Sequence, residues 1–394
     1  MRNYLSILIF CFTANFVFAT NVTVNNYTAL VSAVGGTADT IYINGTIVIW
    51  QHLPVYRNLV FIGINNGTLN GNNNQRGMAI GATKVEIHNL TFINGGDYMF
   101  GCAFIVQLTD TLIVKNCHFL NNTASIGGAI YGQYNNYILL ENCEFKNNHT
   151  TGEGGAICMM AGATSEGRVC SLYIVNCLFY NNSVETADGG AIYAHFLNNL
   201  IIFNSLFYNN SSLNLGGAIR IENTPCNIIN STIVKNTSNG GGGIWSMNIG
   251  PNLYNSIIVG NTANIGGANQ ADILGEPANI YNSIYQGVFS IGNNINNFSG
   301  ILPANIFVDY NNDDFHLLCS SVAIDGGNNT DYVNQWNTAF SANTITSPIV
   351  HNDIGGNVRL LGSNIDMGAY ETLAFNETIS DSFCEGDTYD FNGR

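Results

Sequence analysis

The sequence predicts an all-β fold: a single-stranded right-handed parallel β-helix of about ten coils, with a short N-terminal cap helix. Three observations predict it. The chain repeats itself at a period near 26 residues. Apolar residues alternate with period two inside each repeat, which is strand-like and not helical. Turn-forming residues recur at fixed places, in a chain with 43 Gly and only 9% charged residues.

An Asn followed by Cys or Ser stands at Asn116, Asn142, Asn176, Asn204, Asn230, Asn255 and Asn282, in steps of 26, 34, 28, 26, 25 and 27; Asn89 stands 27 before the first. Two residues before each Asn is a branched aliphatic: Ile87, Val114, Leu140, Ile174, Ile202, Ile228, Leu253, Ile280. Three residues after it is a large apolar one: Phe92, Phe119, Phe145, Phe179, Phe207, Ile233, Ile258, Tyr285. Gly-Gly-Ala-Ile begins at Gly127, Gly154, Gly189 and Gly216, with variants at Gly241 and Gly266. Such a period suits three short strands and three turns, each coil stacking on the next at roughly 4.8 Å. Equivalent positions then form ladders. Stacked Asn amides offer both donor and acceptor and tolerate left-handed turns. Paired Gly permits a sharp corner without a Cβ clash. Cys117, Cys143 and Cys177 share one inward position, where buried thiols are expected over a bridge because parallel neighbours give poor torsion. A β-propeller would need blades of about 40–50 residues. About ten coils from Thr40 to Gly300 make a rod of roughly 45–50 Å.

Residues 1–19 read as a secretory signal: Arg2, the apolar stretch Leu5 to Phe12, and a small-residue cleavage site after Ala19. Tyr27, Leu30, Val31 and Val34 have helical spacing and Gly35-Gly36 stops the helix, an amphipathic plug over the first coil. The β-helix is expected over 20–300. Residues 301–375 lose the period and are expected to close the other end. Residues 376–394 read as the start of a truncated following module. The long step from Asn142 to Asn176 places an extra loop near Ala163–Arg168.

Net charge is −15, which repels phosphate backbones and anionic membranes, so nucleic acid is excluded as a partner. Twelve of the 26 acidic residues lie between Asp313 and Asp390. The acidic tail (Asp381, Glu385, Asp387, Asp390) lacks a calcium-loop pattern, and no C-x-x-C pair suggests zinc. No metal and no cofactor is expected.

Gly-Gly-Ala-Ile together with Phe-x-x-Asn (Phe119–Asn122, Phe145–Asn148, Phe179–Asn182, Phe207–Asn210) resembles the passenger repeat of polymorphic outer membrane proteins. That resemblance covers roughly residues 85–285 and implies a β-helical surface passenger with adhesive roles, although no membrane β-barrel follows. Ser321 to Gly327, Asp353 to Arg359 and Ile365 to Glu371 resemble the closing region of choice-of-anchor Q type β-helix proteins, exported to bacterial surfaces. Phe383 to Gly393 is similar to the start of repeats in large type IX-secreted surface proteins.

Candidate sites follow from the stacking. Glu153 and Asp188 each precede a Gly-Gly corner in neighbouring coils, which would bring them roughly 5 Å apart, the spacing of a retaining glycosidase. The plainer reading is two exposed turn carboxylates. Tyr131, Cys158, Tyr193, Arg220 and Trp245 share one offset. Pointing outward, they form an aromatic ladder with one Arg, suited to sugar rings or peptides; alternatively a loop covers the stripe. Leu178, Tyr180, Leu206, Tyr208, Val234, Ile257 and Val259 should face out, as should Val175, Phe203, Ile229, Tyr254 and Tyr281. So large an apolar exterior marks a partner or self-association surface, or cover by the C-terminal segment.

The expected function is an exported cell-surface protein, outer membrane associated, that binds a surface glycan or protein and is not catalytic. Tyr131, Tyr193, Arg220, Trp245, Tyr180 and Tyr208 are the ligand-binding candidates. The alternatives are a polysaccharide lyase or glycoside hydrolase of the pectate-lyase-like β-helix type, and a passive stalk. Lyase and polygalacturonase sites need clustered Asp, His and basic groups, and no such group is assembled by offset along the coils.

Overall fold

A computed structural model describes residues 20–96, 99–134, 137–161, 170–265, 271–287, 291–340, 352–359 and 362–372. The signal segment 1–19 with Ala19, the loop near 163–168, the corner at Gly266 and the terminal module 376–394 lie outside the described residues. The chain winds into a parallel β-solenoid with the right-handed sense that strand twist imposes on parallel crossovers. Three sheets run along it. The second has nine strands, from Leu53–Val55 to Ile273–Gly275, in keeping with the expected number of coils. The third has six two-residue strands. The first has 21; its early coils give it the long strands Thr40–Val48 and Leu59–Asn70, and from Lys84 onward it bends at the outer Asn, so each coil gives it two short strands.

The predicted ladders form in register. Ile87, Val114, Leu140, Ile174, Ile202, Ile228, Leu253 and Ile280 pair rung by rung and are buried. Phe92, Phe119, Phe145, Phe179 and Phe207 stack with ring centroids 4.5–5.2 Å apart and planes within 8°. Cys117, Cys143 and Cys177 are buried free thiols. The outer asparagines all hold left-handed backbone, with φ between 45° and 56°, a conformation Asn tolerates because its amide bonds locally.

The two glycines of each corner serve different needs. Gly189 has φ 73°, which a side chain strains to adopt. Gly190 has ordinary φ, but a Cβ there would lie 2.0 Å from Gly217 O of the next coil. The second glycine is therefore fixed by stacking.

A second asparagine ladder runs inside the rod, from the Asn of Phe-x-x-Asn. Asn122, Asn148, Asn182, Asn210, Asn236 and Asn261 are buried, and each amide donates to the next carbonyl oxygen at 2.8–2.9 Å up to Asp272. Asp272 ends the series because only acceptors are required there: Asn261 reaches one oxygen, and the Gln286 and Gly287 N–H groups reach the other.

Helix α1 (Tyr27–Gly35) begins at Asn26, whose side chain caps Ala29 N at 3.0 Å. It buries Leu30, Ala33 and Val34 against the coil core, while Val31 is 42% exposed. The predicted inner face was therefore off by one member. Val31 adjoins Leu30, about 100° around the helix, and Ala33 fills the face instead.

The described residues of the C-terminal region lie along the flank of the rod. Helix α2 (Asn329–Phe340) sets Tyr332, Trp336, Ala339 and Phe340 on Tyr173, Val175, Phe203 and Ile229. Ile306, Phe307, Phe315, Leu317 and Met367 cover Leu206, Val234, Ile257 and Val259. Over these rungs the outward apolar stripes are thus covered by the chain itself. A regular period-two strand must put half its side chains outside, and here many of those are apolar. The flank is pinned by a buried pair, Arg359 to Glu371 at 3.1 Å, both 0% exposed. Arg359 also donates to Gly368 O at 2.6 Å, and Asp353 accepts from Glu371 N at 2.8 Å. These residues belong to two of the three C-terminal segments, Asp353 to Arg359 and Ile365 to Glu371.

Candidate functional site

The outer face of the second sheet carries the candidates. In each four-residue strand, the first and third side chains enter the core and the second and fourth face out, as Ile192 and Ala194 against Tyr193 and His195. Register then aligns Ile105, Tyr131, Cys158, Tyr193, Arg220, Trp245 and Leu274 in one column. A neighbouring column holds Gln107, Gln133, Met160, His195, Glu222 and Met247. The shared offset is real. The open aromatic platform is not: Tyr131 is 5% exposed and Tyr193 8%. With Cys158 they form one buried cluster, against which Phe100, Ile105, Ile126 and Met160 pack. Burial pushes the Tyr131 phenol up to about 12.

Ladder geometry explains the difference. Rungs about 4.8 Å apart fill the space over each ring with the next side chain. Phe100 lies 4.5 Å from Tyr131, and the Arg220 guanidinium 3.7 Å from the Trp245 ring. Faces are consumed along the axis, and mainly edges and polar tips reach solvent.

Those tips form a connected cluster about Arg220, itself 5% exposed. Its Nε donates to Asp188 Oδ2 at 3.3 Å, Nη2 to Glu222 Oε2 at 3.1 Å and Nη1 to Ile221 O at 2.8 Å. Tyr193 OH donates to the same Glu222 oxygen at 3.2 Å, and His195 Nε2 lies 3.8 Å from Oε1. Burial, then the Glu222 charge, raises the Tyr193 phenol. Phe196 follows, 37% exposed with φ 56°, its ring 4.5 Å from His195. Arg220 is thus no free fork for a ligand: it holds two carboxylates and stacks on Trp245. His195, Glu222 and Phe196 were missed in the sequence. The fourth-position column, two residues beyond Tyr193 and Arg220, was the signal that could have found them.

Glu153 and Asp188 do occupy equivalent corners, accepting Gly127 N at 2.9 Å and Gly154 N at 3.0 Å through their carbonyls. The Asp188 carboxylate also takes Asn214 Nδ2 at 2.8 Å and Leu215 N at 3.1 Å. It is a fully bonded structural acid.

On the first sheet, Tyr180 and Tyr208 stack at 5.0 Å, and Phe315 of the flank meets Tyr208 edge-on at 5.2 Å. Tyr180 OH donates to Glu144 Oε1 at 2.6 Å, and Glu144 Oε2 takes His118 Nδ1 at 2.7 Å. That contact raises the His118 pKa and lowers that of Glu144. Lys146 Nζ sits 5.0 Å over the Tyr180 ring. These two tyrosines belong to a charged cluster at the margin of the C-terminal cover. Among the described residues, no group of three His, Cys, Asp or Glu could hold a metal, and no helix is long and apolar enough to cross a membrane.

Four segments, residues 116–133, 142–159, 176–195 and 204–222, match the Chlamydia polymorphic membrane protein repeat. Each runs from an outer Asn through the Gly-Gly corner into the second-sheet strand. The resemblance read from Gly-Gly-Ala-Ile and Phe-x-x-Asn is thereby borne out on a parallel β-helix. No curated protein matches the chain.

Proposed function

We propose that this rod, carrying four repeats of a polymorphic membrane protein, is an exported surface protein that binds a glycan or protein and is not catalytic. The reading is supported above all by the Arg220 cluster. Its guanidinium already neutralises Asp188 and Glu222, so Asp188 is badly placed as the free carboxylate that glycoside cleavage requires. The cluster instead fixes His195, Glu222, Trp245 and Phe196 on a regular sheet, a preorganised face that loses little entropy on binding. The apolar signal-like stretch in 1–19 supports export.

The test is glycan-array and cell-adhesion binding with Tyr193→Ala, Trp245→Ala and His195→Ala. Weakened binding with retained circular dichroism supports the reading; unchanged binding in all three excludes this face. A panel of acidic and neutral polysaccharides, with and without calcium, runs alongside. Release of unsaturated or reducing ends would overturn the binding reading in favour of an enzyme.

A further inference from the structure

The outer asparagine column is used in two ways along the rod. At four rungs it holds the chain's own C-terminal region. Asn204 donates to Asn352 O at 3.3 Å, Asn230 to Asp366 O at 2.8 Å and Asn282 to Asp331 Oδ2 at 2.9 Å. Asn255 reads the backbone of one residue with both ends of its amide, donating to Asn328 O at 3.1 Å and accepting from Asn328 N at 2.8 Å. Its other N–H still reaches Asn230 Oδ1 at 3.1 Å. At Asn255 a primary amide, with two donors and two acceptor sites, holds polypeptide and keeps its axial bond, whereas Asn204, Asn230 and Asn282 turn their amide donors from the column to the C-terminal region.

The same column continues to Asn89, Asn116 and Asn142, with the same left-handed backbone (φ 56°, 53° and 52°). Among the described residues these amides bond only one another, at 3.1 Å, and all three residues are exposed, whereas Asn204, Asn230 and Asn255 are 0% exposed. The flanking columns also continue, and their chemistry changes. Val175 and Leu178 give way in register to Glu141, Lys115 and His88 on one side and to Glu144, His118 and Thr91 on the other. An apolar dock becomes a polar one.

One of its cations, Lys146, acts on Glu144 through space but makes no direct ion pair among the described residues. Lys84 pairs with Glu86 and Lys115 with Glu141. Elsewhere Arg57 and Arg76 cap backbone carbonyls, Lys235 holds Asp313, and Arg220 and Arg359 are buried. Lys146 alone among the described Lys and Arg residues meets a ring face and no acceptor at bonding distance. His118 has Nδ1 fixed by Glu144, which leaves Nε2 for an outside group.

We propose that the outer corner at Asn89, Asn116 and Asn142 is a docking groove for an acidic polypeptide segment of a partner, its main chain read by the asparagine amides and a carboxylate side chain met by Lys146 and His118. The groove is continuous with one that already holds polypeptide in this molecule. It lies on the first sheet, and stands or falls separately from the second-sheet face.

The test is fluorescence polarisation of a short fluorescein-labelled peptide of alternating Glu and Ala against the full chain. The variants are Asn116→Gly with Asn142→Gly, which keeps the left-handed backbone and deletes two amides, and Lys146→Glu. The peptide is expected to bind the parent, with each variant weakening it about tenfold or more while circular dichroism and melting stay close to the parent. Failure of the parent to bind the peptide, or undiminished binding by the double glycine variant, would sink the proposal. Binding of polygalacturonate where the peptide does not bind would replace it with a glycan site.

Discussion

Replacing Asn182 by Ala tests the physical core of this rod. Asn182 is 0% exposed, and its side chain makes four hydrogen bonds. Nδ2 donates to Phe145 O and to Asn210 Oδ1, both at 2.9 Å. Oδ1 accepts Asn148 N at 3.0 Å and Asn148 Nδ2 at 2.9 Å. Truncation leaves four partners facing a dry interior. At about 1 kcal/mol net for each bond, the loss is about 4 kcal/mol, and more if the orphaned groups stay unhydrated. The outer ladder supplies the control. Asn116 is exposed and makes two amide bonds. Asn116→Gly keeps its φ of 53° and should cost below about 1 kcal/mol. Urea unfolding followed by circular dichroism reads the difference. Because a stacked rod can unfold rung by rung, amide exchange at Asn148 and Asn182 gives the local value. Equal cost for the two variants would refute the claim that the inner asparagines hold the coils in register.

Gly190→Ala should prevent normal folding, because its Cβ would lie 2.0 Å from Gly217 O, while Gly35→Ala, with nothing within 4 Å, should be neutral; melting temperatures separate them. Phe179→Ala should cost about 3–5 kcal/mol by chemical denaturation, since the ring stacks on both Phe145 and Phe207 at 4.6 Å. Deleting the chain after Gly300 should uncover the stripes around Phe203 and Val234, giving dye-binding oligomers in light scattering; a monomer without dye binding would contradict the flank packing. Burial pushes Asp272 up to about 6 and Asp366 up to about 7. The folded state then holds protons that the unfolded chain has released, so stability should rise as pH falls from 7.5 towards 5 and decline as pH rises through these values. Asp272→Asn with Asp366→Asn should flatten that slope in melting temperatures measured against pH.

Much of this protein was legible because a solenoid converts sequence spacing into contact. A period near 26 and alternation within it determined the coils, the Phe stack, the buried thiols, the outer asparagines and the Gly-Gly corners, each through interactions between equivalent residues one turn apart. Ladder membership on the second sheet was determined the same way, down to Tyr193 beside Arg220. What spacing cannot state is what lies on top of an outward residue. Whether Val234 faces solvent depends on Phe315 and Met367, far along the chain and outside the period. Burial of Tyr131, occupation of Arg220 by Asp188 and Glu222, and the split of one asparagine column into covered and open halves likewise arise from contacts between unlike segments. Periodic sequence determines the rod because its energetics are nearest-neighbour. Only the tertiary fold decides its surfaces, because there the chain meets itself without a repeat.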